Sequence, residues 1–180
     1  MKRLFLLALG YALMISCNSK EPAEQQPAAA ATDAKPQPAE FADAKYTEIG
    51  KAELAAMQSG DVDKWLSMFA DNAKYFWNSG DSLVGKAAIS DYWKKRRTEV
   101  IDSISFMNDI WLPVKVNEPQ QQVQSPGVWL LGWYQINAKY KTGKSMQQWT
   151  HVDFHFDAND KVDQVIQYLD KVPINAAMTK

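Results

Sequence analysis

Cysteine is almost absent: Cys17 is the only one among 180 residues. No disulfide can therefore form within the chain, and no cysteine-ligated zinc can hold the fold. Histidine is nearly as scarce, with His151 and His155 alone. No apolar run reaches the about 20 residues that a membrane-spanning helix needs; the run over residues 4–15 stops well short. Charge is close to balanced at a net −1, so the basic excess that grips nucleic acid is missing. What is plentiful is apolar and aromatic, 46% and 12% of the chain, enough to bury one core. Stability must come from packing.

Lys2 and Arg3 precede the 4–15 run, the layout of an export signal with a basic start and a short apolar centre. Met14-Ile15-Ser16-Cys17 resembles a bacterial lipoprotein cleavage box, in which the cysteine is acylated on sulfur and becomes the first mature residue. The expectation is a signal peptide over residues 1–16, a lipid on Cys17 as membrane anchor, and an extracytoplasmic lipoprotein of the bacterial cell envelope. A simple secretory signal with an incidental cysteine is the alternative. Loss of Lys2 and Arg3 with the leader leaves 18 basic against 21 acidic side chains, a net −3.

Residues 18–40 contain Pro22, Pro27, Pro36, Pro38 and a run of four alanines, but no aromatic, Ile, Leu, Val or Met. Such a segment cannot join a core and reads, with Cys17, as a tether over 17–40. As a flexible coil it would span about 25–30 Å.

The folded domain is expected over 41–176. Tyr46, Ile49, Glu53 and Met57 recur at helical spacing, and Gly60 can end that helix while Asp61 caps the next. Val62, Trp65, Leu66 and Phe69 form a second amphipathic stripe. A third helix opens after Gly85, buries Ile89, Tyr92 and Trp93, and ends in Lys94-Lys95-Arg96-Arg97, read as a solvated last turn. The period then changes to two. Residues 73–77 form a short strand, and four long strands follow from Ile104 onward, with Pro113 marking a bulge or an edge. Residues 117–127 are the one long irregular connection and read as a mobile rim. The order predicts an α+β fold, a curved antiparallel sheet wrapped as a cone around the N-terminal helices.

Residues 59–63 and 69–73, Leu83-Val84-Gly85-Lys86-Ala87-Ala88-Ile89, and His155-Phe156-Asp157 through Lys161-Val162 to Tyr168-Leu169-Asp170 resemble, in order and spacing, the SnoaL-like branch of the nuclear transport factor 2-like superfamily. The resemblance covers about residues 43–170 and implies a cone with an internal pocket. Related domains serve as isomerases, dehydratases, cyclases, binding modules and assembly domains, so the fold leaves function to the site. Steroid isomerases on this scaffold use a carboxylate base, a tyrosine and a late-strand acid. The resemblance lays Trp77, Glu53 and Val152 on those three places, and none matches. Tryptophan and valine cannot do that proton chemistry, which argues against steroid isomerisation.

If Thr142-Gly143 is a two-residue turn, Trp129, Leu131, Trp133, Gln135 and Asn137 share one sheet face with Gln148, Thr150, Val152 and Phe154. That aromatic face with a few amides is the expected pocket lining, joined by Trp77; ordinary core is the alternative, and a bulge at Gly143 would exchange the faces. Glu53 is the expected polar group of the pocket and the candidate catalytic residue, unless the helix rotates it to solvent and Leu54 packs instead. His151, Asp153 and His155 alternate on the opposite face as a row of donors, which a single ion cannot gather from a flat strand, so no metal is expected. That outer face, with Trp149 and Tyr134, is also the expected surface for a homodimer. The chain is thus read as an anchored domain binding a small, partly apolar molecule, with no cofactor and no nucleic acid. A protein-interaction lipoprotein with a filled cone is one rival; a cofactor-free isomerase, dehydratase or cyclase is the other.

Overall fold

The computed structural model describes residues 37–122 and 124–179. The leader, Cys17 and most of the expected tether lie outside the described residues. The last tether residues are part of the sheet: Ala39–Phe41 (β1) pairs antiparallel with Val114–Val116. A sequence with no core-forming side chain can still complete a ladder, because strand pairing uses the backbone.

Helix α1 (Lys45–Ser59) ends as Gly60 predicts. Gly60 has φ +82 and donates to Met57 while Asp61 donates to Ala56, a Schellman closure. Asp61 then caps α2 (Val62–Leu66), its carboxylate accepting from the Lys64 amide at 2.9 Å. The second helix is shorter than its apolar stripe. Phe69 already opens β2 (Phe69–Trp77), four residues earlier than the expected strand. Next come β3 (Ser82–Val84), which the sequence reading lacked, and α3 (Lys86–Lys95), continued by a π-helical turn over Arg96–Val100. Four long strands follow: β4 (Ile101–Val116), β5 (Gly127–Tyr140), β6 (Ser145–Phe156) and β7 (Val162–Tyr168). A final helix, α4 (Lys171–Met178), is also additional, capped by Asp170 accepting from Val172 at 2.8 Å.

The seven strands form one sheet in the order β1-β4-β5-β6-β7-β2-β3. Every pair is antiparallel except β2 with β7, so the sheet is mixed where an antiparallel one is expected. Strand β4 shifts register at two places, between Ile101 and Ser103 and between Met107 and Ile110, the second with Asn108 at φ +56; neither is at Pro113. Such bulges bend the strand and help the sheet curl over α1. The 117–127 connection is fastened at both ends: Asn117 donates to the Pro38 carbonyl, and Trp129 Nε1 reaches Ser125 at 2.8 Å.

The β5–β6 hairpin decides which side chains face the helices. Tyr140 donates to Lys144 and Gly143 to Tyr140, with Gly143 at φ +87. The loop therefore has three residues and a glycine bulge. Tyr134 pairs with Thr150, and Lys139 with Ser145. The expected two-residue turn requires positive φ at Thr142 as well, which a β-branched residue resists. The added residue moves the whole of β5 by one place, so Leu130, Tyr134, Ile136, Ala138 and Tyr140 are buried on the inner face.

Candidate functional site

The inner face is incompletely filled. A cavity of about 360 Å³ opens between the sheet, α3 and α4. Strand β2 contributes Trp77, β7 contributes Gln167, α3 contributes Tyr92 and Trp93, the π-helical turn contributes Arg96, and α4 contributes Ile174 and Met178. Behind it lies a chamber of about 50 Å³ lined by Glu53, Tyr75, Tyr134, Val152 and Phe154. Trp93, Ile104, Ile136 and Gln167 line both. Tyr92 and Trp93 stand edge-on at 5.4 Å, and Tyr92 lies 5.2 Å from Trp77, so the mouth is walled by aromatic rings.

Glu53 is 1% exposed, and neither carboxylate oxygen has a hydrogen-bond partner. Burial alone pushes its pKa well above the ordinary value, toward the neutral acid. Burial likewise raises the Tyr75 and Tyr134 phenols, with a further push from Glu53 on each. Tyr75 donates to Gln167 Oε1 at 2.7 Å, and Trp77 Nε1 donates to the same oxygen at 3.2 Å. Trp93 Nε1 is buried without an acceptor. A buried neutral carboxyl can give up a proton, and the aromatic mouth can hold an apolar ring.

No family model and no curated protein matches the chain. Solved structures do. A protein of unknown function from Burkholderia pseudomallei, described as NTF2-like (nuclear transport factor 2-like), superposes with TM-score 0.61 at 11% identity, covering 77% of this chain and 100% of its own. The chain has an NTF2-like fold. A hypothetical protein from Catenulispora acidiphila with a ketosteroid isomerase-like fold, in complex with trimethylamine, matches with TM-score 0.55 at 12% identity over 73% of this chain and 92% of that one. An epoxide hydrolase from M. tuberculosis matches with TM-score 0.51 at 14% identity, over 73% and 86%. At these identities the likeness is one of fold.

Within the NTF2-like cone, Glu53, Val152 and Phe154 meet at the inner chamber, and Trp77 stands at the mouth. Thr150 is on the inner face, but its hydroxyl is spent on the Tyr168 carbonyl at 2.7 Å. Trp129, Trp133, Gln135 and Asn137 are on the opposite face, a correction that follows from the one-residue shift at Gly143. Tyr134, expected outside, is inside for the same reason and is 4% exposed. The sequence reading missed Tyr75, Trp93, Gln167 and Arg96 as lining. Tyr75 is two residues before Trp77 on one strand, and Arg96 is four residues after Tyr92, so each shares a face with a neighbour already identified. Lys94 and Lys95 are exposed as expected, whereas Arg96 lines the cavity.

The outer face carries both histidines. His151 stacks on Trp133 at 4.5 Å, its Nδ1 against the Gly132 carbonyl and its Nε2 2.8 Å from Asp153. His155 bridges Asp163 and the Pro126 carbonyl. Among the described residues no three His, Cys, Asp or Glu side chains cluster as metal ligands. Ile110, Trp149 and Tyr168 are exposed on this face.

Proposed function

We propose that the domain binds a compact, partly apolar molecule in the cone. The observation that carries this reading is the 360 Å³ cavity, a size at the lower end of ligand pockets, about 300–1,000 Å³. A filled cone would leave the protein-interaction reading in front. Ligand handling on similar folds, an epoxide hydrolase and a trimethylamine complex among them, supports the same reading. Fused-ring compounds should quench tryptophan fluorescence and raise the melting temperature, with about 2.7 kcal/mol of stabilisation at a hundred times Kd. Trp77→Ala should weaken binding. Failure of every ring compound to move either signal would overturn this proposal in favour of an interaction module.

A second reading, enzymatic, rests on Glu53: a partnerless buried carboxyl beside an aromatic cavity is the arrangement of a general acid or base. A reaction confined to proton transfer, an isomerisation in which a proton leaves one carbon and returns to another, fits that single group. The domain is further proposed to be held at the envelope by a lipid on Cys17, a reading that rests on the sequence of residues 1–17. Mass spectrometry of the membrane fraction should show an acylated chain beginning at Cys17, and Cys17→Ala should release it. Unmodified soluble protein starting elsewhere would reject the anchor.

A further inference from the structure

Arg96 is the uncompensated charge of the mouth. Three charged residues line the cavity: Arg96, Lys171 and Asp81. Lys171 pairs with Asp81, which also accepts from Ser79, so those two cancel. Among the described residues no carboxylate lies within ion-pair distance of Arg96. What surrounds its guanidinium is apolar or weakly polar. It lies over the Tyr92 ring at 6.0 Å and donates to the Met178 sulfur at 3.7 Å, a poor acceptor. Burial pushes the Tyr140 phenol up, and the neighbouring Arg96 opposes that push.

A half-buried guanidinium that meets a ring, a thioether and the Tyr140 phenol, and no carboxylate, still has donors to spare, and its planar fork matches a carboxylate in two parallel hydrogen bonds. The rings of Trp77, Tyr92 and Trp93 stand beside it as an apolar wall. Resting on the ligand-binding reading above, we propose that the cone selects aromatic or alicyclic carboxylates, with the carboxylate on Arg96 and the ring inserted against the tryptophans. A phosphate or other multiply charged anion is disfavoured. The cavity offers one net positive charge, the match of a single carboxylate.

The test compares naphthoate, naphthamide and naphthylmethylammonium by tryptophan quenching and calorimetry on the full chain. A charge-assisted pair gives naphthoate an advantage of about tenfold or more over the neutral amide, with no binding by the cation. Salt should weaken naphthoate and leave naphthamide unchanged. Arg96→Met should erase the preference while naphthamide binding stays within about twofold; Arg96→Lys should retain part of it, since a point charge replaces the fork. Equal affinity of naphthoate and naphthamide in the parent, or a preference that survives Arg96→Met, overturns the carboxylate proposal and leaves the ring-binding reading standing. Absence of binding by all three overturns both.

Discussion

Replacing Glu53 by glutamine is expected to flatten the pH dependence of stability and to make the protein more stable than the parent at pH 8. The folded-state pKa of Glu53 lies well above its ordinary value because burial penalises the charged form and no cation answers it. Between those two values the unfolded chain has released a proton that the folded chain retains. Stability from this group is therefore complete below the ordinary carboxylate pKa and is lost as pH rises through the window, by about 1.4 kcal/mol per pH unit while the folded group stays protonated. Glutamine has nearly the shape of the neutral acid and does not titrate, so the loss should vanish. Glu40, Asp81 and Asp160 shift downward through hydrogen bonds to lysines, and each contributes in the opposite sense, losing stability toward acid. All three are exposed and common to both proteins, so subtracting the variant from the parent isolates Glu53. Urea unfolding from pH 4 to pH 8 gives that difference directly. A parent-minus-variant difference that does not change with pH would show that Glu53 is ionised in contact with water, and would remove the cone's candidate acid or base. If the protein has an activity, the same substitution should abolish its pH profile without unfolding the domain.

Gly132→Ala should be among the most damaging single-methyl additions in the molecule. A Cβ on Gly132 would overlap Trp111 Cζ3 and stand 2.8 Å from its Cε3. Both belong to a rigid ring, so no flexible side-chain end can swing clear. The ring is also fixed by Trp111 Nε1 donating to Asp109 at 2.7 Å, and the same edge fills the space over Gly50, 2.9 Å from where a Cβ there would be. Glycine in a strand ordinarily costs about 0.5–1 kcal/mol relative to alanine, so without the clash the substitution would stabilise. Overpacking of about 3 kcal/mol outweighs that gain, and for a domain of this size the melting temperature should fall by about 10 °C. Trp111→Leu is itself destabilising, since it leaves a cavity. In its background Gly132→Ala should cost far less, a coupling of about 2 kcal/mol in a double-mutant cycle. Additive effects would mean that the ring and the glycine do not touch.

Local signals were legible where one residue enforces one backbone state. Gly60 and Asp61 carry the α1–α2 junction because a left-handed glycine and a capping carboxylate act within a few residues. Glu53 was readable on the stripe of Tyr46 and Met57, both buried, with rotation to solvent left open. Helix α4 was equally local, with Asp170 as its cap and Ile174, Ala177 and Met178 on one side, yet it went unread because no strand followed to frame it. The face assignment of β5 turned on a single residue of loop length: the two-residue turn had put Trp129 and Trp133 inside the cone, and the bulge at Gly143 puts them outside.

The sequence by itself determined the α+β order, the helix boundary at Gly60 and the scarcity of thiol and imidazole that limits the chemistry available, and it put Glu53 on the helical stripe without choosing between pocket and solvent. Those follow from local backbone preference, periodicity and composition. Only the tertiary structure decided that β1 closes on β4, that β2 runs parallel to β7, and that Arg96 turns from an apparently solvated run into an aromatic cavity. These outcomes depend on contacts between segments far apart in the chain, where backbone pairing and the packing of α3, α4 and the sheet outweigh what any short stretch prefers.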